Sequence, residues 1–117
     1  MKYSFSIHKT ITDSIWYYVN IESKEHYVVG NITSYDWTPQ KVQELIDKVE
    51  SNRSLEKTKD PYVWGNEDVT VFANELGVLL VDKLAMRAKQ EVEPLELTHD
   101  DFITFMKDFK KFIEENS

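Results

Sequence analysis

The sequence predicts an α+β fold: antiparallel sheet built from strand hairpins, an amphipathic helix after the third strand, and a C-terminal helix packed on the sheet, in the order βββα-βββα. Three observations predict it. Residues 3–32 carry apolar side chains at period two or in β-branched and aromatic runs. Two later segments carry apolar residues three and four apart, each behind a threonine suited to cap a helix. Between them, short apolar runs are separated by Gly, Asn and Asp turn signals. The 117 residues make one domain, 1–117. A chain of that length buries roughly two-thirds of its unfolded surface and needs no metal or disulfide to fold.

Tyr3, Phe5 and Ile7 alternate with Ser4, Ser6 and His8, as in a half-buried strand. Ser14 to Ile21, rich in aromatic and β-branched residues, forms the second strand. Glu22 to Glu25 is short and polar and reads as a hairpin connection to a third strand, His26 to Ile32. Gly30 within it marks a bulge or a close backbone approach. Thr38 and Pro39 open a helix, since the hydroxyl accepts an orphan amide and proline at the first position needs none. Its apolar stripe is Val42, Leu45, Ile46 and Val49. Residues 51–60 are polar and read as a loop. Pro61 to Trp64 and Val69 to Ala73 flank the turn Gly65-Asn66-Glu67-Asp68 and make a second hairpin. After the turn Asn74 to Gly77, residues 78–83 fit a strand, while 76–88 also fit a helix on the spacing of Leu76, Leu80, Lys83 and Arg87; the strand is preferred. Thr98 followed by Asp101 resembles a capping box, and Asp100 and Asp101 suit the positive end of a helix dipole. Phe102, Phe105, Met106, Phe109, Phe112 and Ile113 then form the longest apolar stripe in the chain.

Composition removes several function classes. There is no cysteine, which excludes disulfides, zinc-thiolate sites and thiol nucleophiles and fits a reducing, cytoplasmic setting. No apolar run approaches the ~20 residues of a membrane span, and the amino end lacks a signal-peptide core. His8, His26 and His99 show no metal-ligand spacing, and Gly30, Gly65 and Gly77 stand alone, so no phosphate cradle is built. Adjacent acids such as Glu67-Asp68 and Asp100-Asp101 point apart and make no catalytic dyad. The chain therefore reads as non-enzymatic, with no cofactor and no metal. Net charge is −7, with residues 1–60 at −1 and 61–117 at −6. That sign opposes direct binding of nucleic acid and suits a basic partner.

Two features remain as binding candidates. One is the acidic run Glu91, Glu93, Glu96, Asp100 and Asp101, which reads either as a solvated loop before a helix or as a landing site for a basic protein. The other is the aromatic set Trp16, Tyr18 and Trp64, with the nearby acids Glu22, Glu67 and Asp68. If Ile15, Tyr17, Val19 and Ile21 face the core, then Trp16, Tyr18 and Glu22 face away, as interface anchors do. Burial of the same rings under helices is the competing reading.

Several stretches resemble the YacL family of small bacterial proteins. They are Met1 to Phe5, His26 to Gly30, Glu44 to Glu50 and above all Tyr62 to Leu76, with the terminal helix similar in kind. The segment from Gly77 to Leu97 departs, carrying Lys83, Arg87 and Lys89. The resemblance spans nearly the whole chain and brings with it no catalytic signature. By size, acidity and strand content the chain is also similar to immunity proteins, the antidotes to toxins of contact-dependent inhibition. The expected function is accordingly that of an immunity protein that binds and neutralises a cognate toxin, a basic domain of nuclease type. A YacL-like adaptor or regulator is the alternative.

Overall fold

The structure, a computed structural model, describes residues 1–53 and 60–116. Two antiparallel sheets and two long helices share one core. Strands β1 (Tyr3–Lys9) and β2 (Ile15–Ile21) form a separate hairpin, with Tyr3 opposite Ile21 and Lys9 opposite Ile15. Strands β3 (Tyr62–Gly65), β4 (Val69–Asn74), β5 (Gly77–Asp82) and β6 (Leu95–Leu97) make a four-stranded meander in that spatial order. Helix α1 (Pro39–Asn52) packs against α3 (His99–Asn116), and a short helix α2 (Lys83–Arg87) follows β5. The α+β class, the antiparallel sheets and the C-terminal helix packed on the sheet are those predicted.

One predicted strand is corrected. His26 to Ile32 is not extended; it lies within a run of 3-10 turns, Lys24–Thr33. So Glu22–Glu25 is no hairpin connection, and the first half reads as two strands, a 3-10 segment and a helix. The burial pattern gives the physical reason. Val28, Val29 and Ile32 are buried together, a one-sided helical spacing that no alternating strand could present. Side chains cover exposed carbonyls of the run: Thr33 Oγ1 donates to the Gly30 carbonyl at 2.8 Å, and the Trp37 indole donates to Ile32 at 2.8 Å. Neither the bulge nor the close approach expected at Gly30 is present: the residue lies in the 3-10 run, and a Cβ there would stand 3.5 Å from the Val19 carbonyl oxygen, an ordinary contact distance.

Both helix starts form as their sequences direct. Thr38 accepts the Lys41 amide at 3.2 Å, and Thr98 accepts the Asp101 amide at 3.0 Å. The stripe Val42, Leu45, Ile46 and Val49 is buried, as are Phe102, Phe105, Met106, Phe109 and Ile113. Residues 77–82 are strand, and the helical alternative survives only as α2, which Asp82 caps by accepting the Ala85 amide at 2.9 Å. Ser51 and Asn52, assigned to a loop, belong to α1, while 54–59 of that loop lie outside the described residues. Within the acidic run expected as solvated loop or landing site, residues 95–97 form strand β6. Its Leu95 and Leu97 pack on the core while Glu96 points out.

The core lies between the inner face of the meander and the two long helices. Val69, Val71, Ala73, Val78 and Leu80 point inward from β4 and β5. The hairpin lies along the flank of α3, where Tyr3 meets Phe105 edge-on at 5.0 Å and Phe5 contacts Phe109 and Phe112 at 5.6 and 5.2 Å. A two-stranded hairpin alone is marginal in water. Here that row of rings holds its base.

Candidate functional site

The hairpin leaves the core part-way along its length. Tyr3, Phe5, Tyr17, Val19 and Ile21 pack against the core, whereas Ile7 and Ile15 are exposed on the same face. The tip is a three-residue loop, Ile11-Thr12-Asp13, closed by the Thr10 amide donating to the Ser14 carbonyl at 2.9 Å. Asp13 takes φ = 63°, the left-handed position such loops require. Ile11 projects from this loop with its side chain wholly in solvent (104%). Nothing in the turn demands an isoleucine there. Polar residues surround it, so it costs solubility with no folding gain visible in the structure.

On the outer face, Trp16 and Tyr18 stand 41% and 44% exposed, as the alternation predicted. Strand register sets His8 opposite Trp16 and Ser6 opposite Tyr18, and the His8 and Tyr18 rings meet edge-on at 6.1 Å. Among the described residues, five of the twelve exposed large hydrophobics (Ile7, Ile11, Ile15, Trp16 and Tyr18) fall on this one hairpin. That concentration makes the hairpin the leading candidate surface. Beside it lies a small cleft of about 200 Å³, lined by Ile15, Trp16 and Tyr17 on one side and Tyr35, Asp36 and Trp37 on the other. Glu22 donates its amide to the Lys2 carbonyl at 3.2 Å and Thr10 pairs with Ser14, so Ile15 and Tyr17 direct their backbone groups away from β1.

The remaining predicted residues fall elsewhere. Trp64 stacks on Trp37 at 5.2 Å and meets Tyr35 edge-on at 5.3 Å, so it is a half-buried part of the packing. Asp68 is a junction. Its carboxylate accepts from Ser34 at 2.6 Å and pairs with Arg87 at 2.7 Å, and its carbonyl accepts the Lys83 amide and the Asn31 side chain. The Ser34 hydroxyl first, and Arg87 next, hold this carboxyl below its ordinary value. Glu67 is exposed, and its carbonyl accepts from Arg87. Glu22 lies at the end of β2, exposed. Asp100 pairs with Arg53 at 2.6 Å, and Asp101 is exposed in the first turn of α3. Glu91 and Glu93 are exposed between α2 and β6, and Glu96 faces away from the core on β6. Apart from Glu22, which follows β2, the acids thus sit on different elements from Trp16 and Tyr18.

Sequence reasoning missed Ile7, Ile11 and Ile15. Ile7 and Ile15 belong to strands and look like core residues. Ile11 carried a readable signal, an isoleucine inside the polar turn Thr10 to Ser14. Among the described residues no group of three or more His, Asp and Glu side chains gathers as metal ligands would, and no helix is long and apolar enough to cross a membrane. Comparison with family models, curated proteins and solved structures finds no match to this chain.

Proposed function

We propose that this chain is a protein-binding module of the immunity type, which neutralises a basic toxin domain, of nuclease class, by forming a tight complex. The observation that carries the reading is the hairpin: its base packs on the core, and it presents two half-exposed rings, Trp16 and Tyr18, and three exposed isoleucines to solvent. Trp and Tyr are the residues most often found as interface anchors, and truncating such an anchor costs about 2 kcal/mol or more, roughly thirtyfold in affinity. The excess of acid in residues 61–117 supports a basic partner, because opposite potentials accelerate encounter and select against wrong partners.

The test is co-expression with candidate basic nuclease toxin domains, beginning with any encoded by an adjacent gene, followed by purification and kinetics of dissociation. A stable complex is expected, slowed in association as salt rises, and weakened at least tenfold by Trp16→Ala or Ile11→Asp with the fold intact. Failure of the two folded partners to associate at low salt, or an affinity indifferent to both hairpin variants, would refute the reading.

A further inference from the structure

The two long helices, α1 and α3, pack on one face of the four-stranded sheet. Its other face presents Val63 opposite Phe72, and Phe72 opposite Leu79, as one cross-strand row ending at Glu96 on β6. Where β4 turns into β5, Phe72, Leu79, Leu76 and Pro61 border an open groove of about 460 Å³, with Glu96 on its rim. That size lies within the roughly 300–1,000 Å³ of sites that accept small molecules or large side chains.

The groove is held open by the backbone. Asn74 Oδ1 accepts the Leu76 amide at 2.9 Å and fixes the turn. Gly77 takes φ = 148° and lies so close to β6 that a Cβ would stand 2.8 Å from the Leu97 carbonyl oxygen. Leu76 is left 79% exposed at the mouth, although the turn is made by Asn74 and Gly77 and asks nothing of a leucine. A preformed apolar site of this kind binds without the ordering cost of a mobile one.

Charge decides among occupants. Among the described lining residues Glu96 alone is charged. The base in contact with this turn is His99, whose Nε2 meets the Asn74 carbonyl at 2.6 Å. A second copy of this chain would bring another −7 to an anionic rim, and an acidic peptide would meet the same repulsion. We propose that the groove seats an apolar side chain from a basic segment of a partner protein: the anchor lies on Phe72 and Leu79, and a flanking lysine or arginine faces Glu96. This deepens the protein-binding reading and rests on it for the class of partner, but the site is separate from the hairpin.

The experiment titrates the full chain, labelled with nitrogen-15, with a capped hexapeptide Lys-Lys-Phe-Leu-Lys-Lys and with the same peptide carrying glutamate for each lysine. The basic peptide should shift the amides of Leu76, Gly77, Leu79 and Glu96 saturably, and the acidic one should bind at least about tenfold more weakly. Leu79→Ser, on the outward face, and Glu96→Gln should each weaken the basic peptide by about threefold or more, while Trp16→Ala should leave the titration unchanged. Shifts confined to the hairpin, equal binding of the two peptides, or self-association of the chain through the same amides would overturn the assignment. None of those outcomes decides whether the chain neutralises a toxin, whose own test is the toxin complex.

Discussion

Asn66 gives the sharpest test of how the two halves are joined. Its amide group donates to the Asn31 carbonyl at 2.9 Å and to the Ser34 carbonyl at 3.2 Å, while its Oδ1 accepts the Asp68 and Val69 amides at 2.8 and 2.9 Å. One side chain therefore shapes the β3–β4 turn and ties it to the 3-10 segment and the loop after it. Net, each such bond contributes about 1 kcal/mol, and the partly buried partners left bare raise the cost. Asn66→Ala should lose about 2–4 kcal/mol, a large share of the 5–15 kcal/mol typical of a domain, and lower Tm by the order of 10 °C. Asn66→Asp keeps the acceptor but sets a carboxylate oxygen against two carbonyls. That raises the introduced carboxyl's pKa in the folded state, so the folded form binds its proton more tightly than the unfolded form does. Relative to wild type, the variant must then gain stability as pH falls from 7.5 to 4.5, where the acid becomes a donor again. Urea unfolding followed by tryptophan fluorescence at both values measures each effect. A loss below about 0.5 kcal/mol for the alanine variant would sink the reasoning, as would an aspartate variant relatively more stable at pH 7.5.

Gly77→Ala should cost roughly 1–3 kcal/mol and loosen β6, seen as faster hydrogen exchange at Leu95 and Leu97; unchanged exchange would contradict the close approach to Leu97. Phe109→Ala, at the meeting point of Phe5, Phe105 and Trp37, should lose about 3–5 kcal/mol in urea unfolding. Asp68, with its carboxyl held below the ordinary 3.8, contributes stability that is present above that value and lost as pH falls through its lowered folded pKa. The difference between wild type and Asp68→Asn should thus be full near pH 6 and shrink in acid, and a difference that grows in acid would refute the assignment. The Tyr3 hydroxyl, raised above 10 by burial first and then by its bond to Asp108, adds stability that is lost as pH rises beyond 10. Wild type should lose more stability between pH 8 and pH 11 than Tyr3→Phe does.

The parts of the fold that announced themselves were those with local chemistry of their own. Thr38 with Pro39, and Thr98 with Asp101, named the helix starts, and Asn66 and Gly77 named the turns. The run from His26 to Ile32 misled because its β-branched residues favour strands in isolation. Tertiary packing wins there: the segment must bury Val28, Val29 and Ile32 on one side, and only a helical turn brings those three together. The candidate surface was half legible. Alternation along β2 put Trp16 and Tyr18 outside, but the point where α3 stops supporting the hairpin depends on how the two meet, and no local pattern reveals that. The acids were easy to count and impossible to arrange, since Asp68 and Asp100 find basic partners nineteen and forty-seven residues away.

The overhang of the hairpin has an evolutionary consequence. Because no core residue leans on Ile11 or its neighbours in the loop, that tip can be exchanged, lengthened or reshaped while the scaffold stays as it is. On the proposed toxin-binding reading, a lineage confronting a changing adversary could retune its grip by substitutions there alone, without first relearning how to fold.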